Sequence, residues 1–550
     1  MSSKLQLTTL AILVSAALPA QAALYKVVEV TEAEAGVSGA EYYGTAIQPS
    51  VAGVNCFDSG ASSATCEGYK LAGETRNRAS GFSYREEVPF AMDNSFGYIE
   101  DNYDGFEDYC FYQLGYSTCE YWASTQWSGW NNEAYGNNTA NSLAFVTDGG
   151  TITASGINTV INSLDLSGNA IGNYSTSTVR NTPISGDVII GWKQGRQWAS
   201  DGTYTVGSVS SKTGIGSERY YYYSKPAVWN GTALTVIKWA HDDAQDGDYY
   251  AQGSMRDFYV DGTTSDFYGV GYNNYKDQHM NATIFKGTTA LTDISSVQIN
   301  NAQVDAGDDN TNSNSVATNI NSNLVVVGQA KRSGNYPQNG AAANRLFVVP
   351  DASAASPNAI FFSSDIFFNG AGGDMGGINN YNEIVGRVDV ENNREYEGKQ
   401  RRQRAFIYPY GVTAKVPDQV TKNAINDRRA IFQNQAWIID NLTNGGSVSS
   451  HNNQYRIYDA SDINDAGVIS ATALKCAGGY DSVASDSYCG NGSTNETVVA
   501  VKLVPISDPA ERSIESRPFE NSTIERQGGS LGFGAMTLLG LFGFMRKRIK

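Results

Sequence analysis

Short apolar segments set off by polar turns recur along the chain, and one spacing defines the unit. Gly376-Gly377-Ile378-Asn379-Asn380-Tyr381-Asn382-Glu383-Ile384-Val385-Gly386 passes from an apolar residue through turn formers to a small residue eight positions on. Leu164 to Gly172, Ile320 to Gly328 and Ile463 to Ala471 keep the same step. Asn, Asp, Ser and Gly tolerate positive φ and bond their own backbone, so they make the turn; the aliphatic run after it suits a strand buried on both faces. A second pattern, Ala-aromatic-aliphatic, appears at Ala144, Ala227, Ala282, Leu346, Ala405 and Ala436, at intervals of 55 to 83 residues and finally 31. It predicts the first strand of each unit, ahead of the turn motif. Trp229-Asn230-Gly231 and Phe285-Lys286-Gly287 predict hairpins leading to second strands at Ala233–Ile237 and Thr289–Thr292. Such units bury their faces only against neighbours, which predicts an all-β, β-propeller-like repeat fold of about six or seven blades. The region from 190 to 280 fits the repeat poorly. Leu24–Val30 reads as an opening strand and Thr497–Val504 as a closing one.

Both ends of the chain carry sorting information. Residues 1–22 join Lys4, an apolar run from Leu5 to Ala17, Pro19 and Ala20-Gln21-Ala22, the pattern of a signal peptide cut after Ala22 by signal peptidase. Residues 528–550 place Gly528-Gly529-Ser530 before an apolar stretch, 531–545, and then Arg546-Lys547-Arg548-Ile549-Lys550. As a helix that stretch rises only ~22 Å, so it makes a thin transmembrane segment with its cations cytoplasmic. The tail resembles the GlyGly-type C-terminal sorting signals of Gram-negative bacteria. The resemblance implies cutting near Gly528-Gly529 by a rhomboid-like intramembrane protease, transient anchoring in the inner membrane, and type II secretion to the outer membrane, cell surface or medium. Between the ends, residues 23–504 form the ectodomain, and 505–527, rich in Pro, Ser, Glu and Arg without apolar periodicity, read as a linker.

Removing both ends takes away five cations (Lys4, Arg546, Lys547, Arg548, Lys550) and no acids, so the formal charge moves from -17 to -22. A body so acidic does not bind nucleic acid non-specifically. Six cysteines fall into three close pairs, Cys56 with Cys66, Cys110 with Cys119 and Cys476 with Cys489, which in an exported chain predicts three local disulfides. Zinc does not fit: no pair has a zinc-knuckle gap, and His241, His279 and His451 stand apart.

Residues 93–130 interleave acids with aromatic rings and read as an insertion braced by Cys110–Cys119. Asp101 and Asp104 in this stretch, and Asp305, Asp308, Asn310 and Asn312 in a second acidic loop, offer hard oxygen ligands for Ca²⁺. The first stretch lacks the regular ligand spacing and closing Glu of a calcium loop, and the second, though its oxygen side chains alternate from Asp308, lacks the Gly and the distal Glu, which favours a packed cap and a solvated loop without cofactor. Arg394 to Arg404 forms a basic patch, read as a surface loop, with contact to anionic polysaccharide as the rival reading. The ectodomain has no Gly-x-Ser-x-Gly elbow, His-Glu-x-x-His pair or phosphate loop, so no catalytic residue is assigned. Carboxylates converging from separate blades would leave no local signature.

The turn-and-strand unit at Ile378–Gly386 and the strand Ala405-Phe406-Ile407-Tyr408 resemble extracellular HAF-type repeats. With the signal peptide and tail, the whole chain resembles a domain-of-unknown-function family of secreted and surface proteins of Gram-negative bacteria. That resemblance implies export and a propeller-like fold and assigns no reaction. The expected function is a non-catalytic surface or secreted module that binds a glycan or protein ligand, with a polysaccharide-acting hydrolase or lyase as the alternative. Intact-mass measurement on protein recovered from Gram-negative cells is expected to place the N-terminus at Ala23 and the C-terminus near Gly529. Recovery of a chain spanning Met1 to Lys550 overturns the processing scheme.

Overall fold

Strands of two to nine residues account for most of the regular structure in the computed structural model of the chain. It describes residues 23–519 apart from 77–83, 86–101, 114–115, 135–141, 149–151, 153–157, 177–178, 186–188, 213–221, 247–248, 276–278, 303–313, 332–343 and 396–400. Seven antiparallel sheets of three or four strands follow one another along the chain and form a seven-bladed β-propeller. Blade 1 begins with Tyr42–Ile47, blade 2 with Thr159–Leu164, blade 3 with Gln194–Ser200 and blade 4 with Ser254–Val260. Blades 5, 6 and 7 begin with Ser315–Ile320, Gly373–Ile378 and Tyr455–Ile463. Each first strand packs against the first strands of both neighbouring blades, so these strands line the axis. The ring is closed by the two ends of the propeller segment: Tyr25–Glu29 pairs antiparallel with Thr497–Pro505 as the outer strand of blade 7.

Every first strand has a β-bulge opposite the small residue that ends the sequence repeat. Ile161/Ser163 bulges against Gly172, Ala317/Asn319 against Gly328, Met375/Gly377 against Gly386 and Ala460/Asp462 against Ala471. Blades 3 and 4 do the same with Gln197/Ala199 against Gly207 and Met255/Asp257 against Gly271. The bulge turns a first-strand carbonyl into the second strand. A Cβ at Gly172, Gly207, Gly271, Gly328 or Gly386 would collide with the carbonyl oxygen of Val160, Arg196, Ser254, Val316 or Asp374. Glycine is therefore required for close approach of two backbones.

The Asn of the turn ties blades together. Asn321 Nδ2 donates to Asn379 O at 2.8 Å, Asn379 Nδ2 to Asn464 O at 3.1 Å and Asn464 Nδ2 to Gln48 O at 3.0 Å. Gln48 Nε2 continues the chain to Leu166 O at 2.9 Å, so blades 5, 6, 7, 1 and 2 are linked in sequence. The Oδ1 atoms of Asn321, Asn379 and Asn464 accept from N–H groups of their own turns. Asp165, Asp201 and Asp261 hold the turns of blades 2, 3 and 4 the same way, but a carboxylate has no donor for the next blade. In blades 3 and 4 the glycine follows that Asp by six and ten residues, against seven from the turn Asp or Asn to the small residue in blades 2, 5, 6 and 7. That change in turn length is why the region from 190 to 280 departs from the repeat.

Three expectations are corrected. The Ala-aromatic strands are third strands, paired with the glycine strand, as in Gln403–Pro409 against Glu383–Asp389. Ala436 to Ile439 contributes Trp437–Ile438, the fourth strand of blade 6. In the hairpin after Phe285, the third strand runs on to Thr288, Leu291 takes φ 61° in the turn, and the fourth strand is Ser295–Gln298. The segment after Pro505 is also no free tether as far as Phe519. Ile514 packs on the blade 7 core, and buried Arg517 donates to Asp440 O and Val483 O.

All three cysteine pairs are disulfides. Cys110–Cys119 braces a helical insertion in blade 1, Asn102–Asp108 and Glu120–Ala134, in which Tyr109 and Trp122 stack with ring centroids 5.7 Å apart. Gly328→Ala is expected to cost ~1–3 kcal/mol in denaturant unfolding because backbone must move. Gly231→Ala, in open space at φ +57°, is expected to cost about 1 kcal/mol. Equal costs would sink the close-approach account.

Candidate functional site

The residue after each repeat glycine points at the next blade, where apolar packing would predict an aliphatic side chain. In blade 5 it is Gln329, whose Oε1 accepts from Met375 N at 2.9 Å and whose Nε2 donates to Asp374 Oδ1 at 3.3 Å. In blade 6 it is Arg387, with Nε donating to Asp374 Oδ2 at 2.8 Å and Nη1 to Tyr458 Oη of blade 7 at 3.0 Å. In blade 1 it is buried Glu74, paired with Arg76 at 2.8 Å and Arg85 at 2.5 Å. Arg85 Nη1 reaches Asn162 Oδ1 of blade 2 at 3.1 Å. These groups form a polar belt around the axis. Asp374 and Arg387 keep 37% and 27% of their side-chain exposure, so the belt is in contact with channel water.

Four channel carboxylates come from first strands. Asp257 Oδ2 accepts from Ile320 N of blade 5 at 3.0 Å and Oδ1 from Phe258 N at 2.8 Å. Asp462 repeats the arrangement with Ile47 N of blade 1 at 3.0 Å and Ile463 N at 2.8 Å. Burial pushes Asp257 up to about 7, against the pull of those N–H groups, and Asp462 up to about 6. Burial also raises Asp459, opposed by Arg387 and reinforced by Asp374. At Asp374 burial is outweighed by Arg387, which holds the carboxyl below its usual range. Glu74 is lowered to about 2: burial works against ionisation, but Arg85 and Arg76 overcome it.

Asp257, Asp374 and Asp462 each have one oxygen bonded to a neighbouring blade, at Ile320 N, Gln329 Nε2 and Ile47 N, and the other bonded within the blade, at Phe258 N, Arg387 Nε and Ile463 N. A glycosidase-type mechanism needs one protonated and one ionised carboxyl facing a common space. Asp459 and Asp374 have the matching directions, raised and lowered, yet Asp374 is taken up by Arg387 and Gln329.

The site residues expected from sequence lie elsewhere. Asp104 is in the first turn of the helix Asn102–Asp108. Asp101, Asp305, Asp308, Asn310, Asn312, Ala22, Gly528 and Gly529 lie outside the described residues, as does the stretch 531–545. Among the described residues no cluster of three or more metal-ligating side chains occurs, and no helix is long and apolar enough to cross a membrane. The basic patch is a surface loop only in part: Arg394 is exposed, Arg402 is partly exposed and residues 396–400 lie outside the described residues. Arg401 and Arg404 are buried, Arg401 Nη1 donating to Gly370 O at 2.6 Å and pairing with Asp389, and Arg404 pairing with Asp440 at 3.2 Å. The belt had one signal in sequence, a polar residue after the glycine of an otherwise apolar strand, as in Val-Val-Gly-Gln329 and Ile-Val-Gly-Arg387.

The family model of a protein of unknown function, DUF3466, matches residues 240–548, more than half of the chain. The chain belongs to the DUF3466 family. The match takes in blades 4 to 7, and thus Asp257, Asp374, Arg387, Asp459 and Asp462. No curated protein matches the chain. Among solved structures, a BT0996 RGII complex is similar over 59% of this protein and 89% of its own length, at 9% identity and a TM-score of 0.25. A thermostable family-43 glycoside hydrolase is similar over 60% and 96%, at 10% identity and a TM-score of 0.24. A protein of unknown function from Dyadobacter fermentans DSM 18053 covers 56% and 93%, at 7% identity and a TM-score of 0.20. Likenesses at these scores carry no argument about chemistry.

The raised carboxyls give a pH signature with a definite sign. Unfolded, Asp257 and Asp462 titrate near the usual 3.8; folded, they titrate at about 7 and about 6. The folded protein therefore holds more protons across that window, and stability falls as pH rises through it. The double variant Asp257→Asn/Asp462→Asn is expected to flatten this part of the curve of thermal midpoint against pH. An unchanged slope would mean that these carboxyls are not raised.

Proposed function

We propose that this DUF3466 protein is an exported, non-catalytic binding module that presents the loops of its propeller to a glycan or protein ligand. The observation that carries the reading is that both oxygens of Asp257, Asp374 and Asp462 are hydrogen-bonded, one to a neighbouring blade and one within the blade, which ties up three of the four channel carboxylates named above. Three disulfides support export to an oxidising compartment, in keeping with the signal peptide and the GlyGly-type tail. In this reading signal peptidase releases Ala23, a rhomboid-like protease cuts near Gly529, and type II secretion delivers the ectodomain to the surface or medium. Two connections between second and third strands are elaborated, the blade 1 helical insertion and the blade 7 loop closed by Cys476–Cys489. Tyr116 Oη of the insertion donates to Glu395 Oε2 at 2.5 Å, joining blade 1 to the equivalent loop of blade 6. Loops supported on a rigid scaffold in this way are the usual carriers of recognition.

A polysaccharide-acting hydrolase or lyase is the second reading, favoured by the opposed directions of Asp459 and Asp374. The deciding experiment applies the purified protein to a glycan and polysaccharide panel, with Ca²⁺ and with chelator, and scores retention and chain shortening. Retention without shortening is expected. Shortening that disappears in Asp459→Asn would replace the binding reading with the hydrolytic one.

A further inference from the structure

A cavity of about 180 Å³ opens between blades 5 and 6. One wall is Arg345, at the start of the third strand of blade 5, and Phe361, in its short fourth strand. The other walls are Phe362, Phe367 and Phe368, in the connection that enters blade 6. This connection is firmly held. Arg401 Nη1 donates to Gly370 O at 2.6 Å, and Gly372 N donates to Asp389 Oδ2 at 2.8 Å. Phe367 packs edge-on to Phe406 with ring centroids 5.0 Å apart.

The Arg345 guanidinium lies 3.6 Å above the Phe361 ring centroid. Among the described residues it has no carboxylate and no hydrogen-bond acceptor, in contrast to Arg387, Arg401, Arg404 and Arg428, which all have acidic partners. Burial alone lowers its pKa, with no nearby anion to offset it. A half-buried arginine fork whose donors meet no acceptor among the described residues keeps those donors available to a ligand. In a chain with a formal charge of -17, a cation with no acidic neighbour stands out from the surface around it. The stack on Phe361 fixes the plane of the fork, and a carboxylate matches that fork with two parallel hydrogen bonds.

From this geometry we infer that the cavity holds one uronic acid residue of an acidic polysaccharide, its carboxylate on Arg345 and the apolar face of its ring against the phenylalanines. The volume suits a single six-membered ring. Ser363 and Asn369, both exposed at the rim, lie where sugar hydroxyls and the continuing chain emerge. The inference rests on the binding reading above and gives it a ligand class.

The test is titration of the full-length protein with glucuronate and galacturonate against glucose and galactose, with phenylacetate as a carboxylate that is not a sugar, followed by saturation-transfer NMR and calorimetry. Uronates are expected to bind more tightly than their neutral counterparts by about tenfold or more. Arg345→Gln is expected to abolish that preference without moving the thermal midpoint, and Arg345→Lys, which keeps the charge but loses the fork, to keep only part of it. Equal binding of charged and neutral sugars, tighter binding of phenylacetate than of uronates, or an unchanged preference in Arg345→Gln would each overturn the assignment. Polysaccharide retention that survives Arg345→Gln undiminished would rule out this cavity as the site and leave the binding reading standing. A protein that retains no panel member at all would overturn the assignment and the glycan form of the binding reading, leaving a protein ligand.

Discussion

The close approach of two backbones inside each blade sets the geometry of the whole ring. At the bulge of the first strand a carbonyl oxygen occupies the space of a second-strand Cβ, and only glycine, with Ala471 as the exception in blade 7, stands opposite. Pinning one residue pair pins the register, and a one-residue slip would turn every side chain to the other face. Two consequences follow for contacts between blades. The Asn or Gln at the turn comes to lie against the next blade's carbonyl, and the residue after the glycine points at the next blade's first strand. Blade 7 carries a second bulge, between Ile457 and Asp459, and its carbonyls press on the neighbouring blades, Ala460 O on Gly376 and Ala471 O on Gly44.

The carboxylates of Asp257, Asp462, Glu383 and Glu74 persist this close to the axis because each is matched. Asp257 and Asp462 take two N–H groups apiece, Glu383 takes Arg428 at 2.9 Å and Asn379 at 2.6 Å, and Glu74 takes two arginines. Buried polar networks are stable only when satisfied throughout. Carboxylates engaged in assembly are not available for proton transfer, which explains why an acidic channel need not be a catalytic one. Arg345 shows the opposite condition, a half-buried cation with no counter-charge among the described residues, and so directs attention away from the axis to the seam between blades 5 and 6.

Much of the fold is legible in the residues alone. The step from Ile378 to Gly386 repeats because each copy is the end of a first strand, its turn and the second strand as far as the bulge. The cysteine pairs are legible because both partners lie in one loop. Blades 3 and 4 do not show themselves because their turns are shorter or longer, six and ten residues from Asp to Gly, although the same two residues do the same work. Strand order within the unit is hidden too: Ala405–Tyr408 announces itself by composition, but composition does not say whether a strand precedes or follows its partner. Arg401 and Arg404 look like surface charge because their partners Asp389 and Asp440 are not adjacent in the chain.

The repeat, the all-β class, the three disulfides and the turn chemistry are written into the amino-acid order, because each depends on residues within about ten positions of one another or on a fixed period. The number of blades, the closure of the ring by Tyr25–Glu29 on Thr497–Pro505, and the fate of every charged group near the axis emerge only on folding. So does the cavity at Arg345, whose walls come from separate strands and a connecting loop. The reason is that pairing and desolvation are properties of neighbours in space. Asp257 meets Ile320, Arg387 meets Tyr458, and Arg345 comes to line a cavity shared with the connection entering blade 6, only once the ring has brought distant blades side by side.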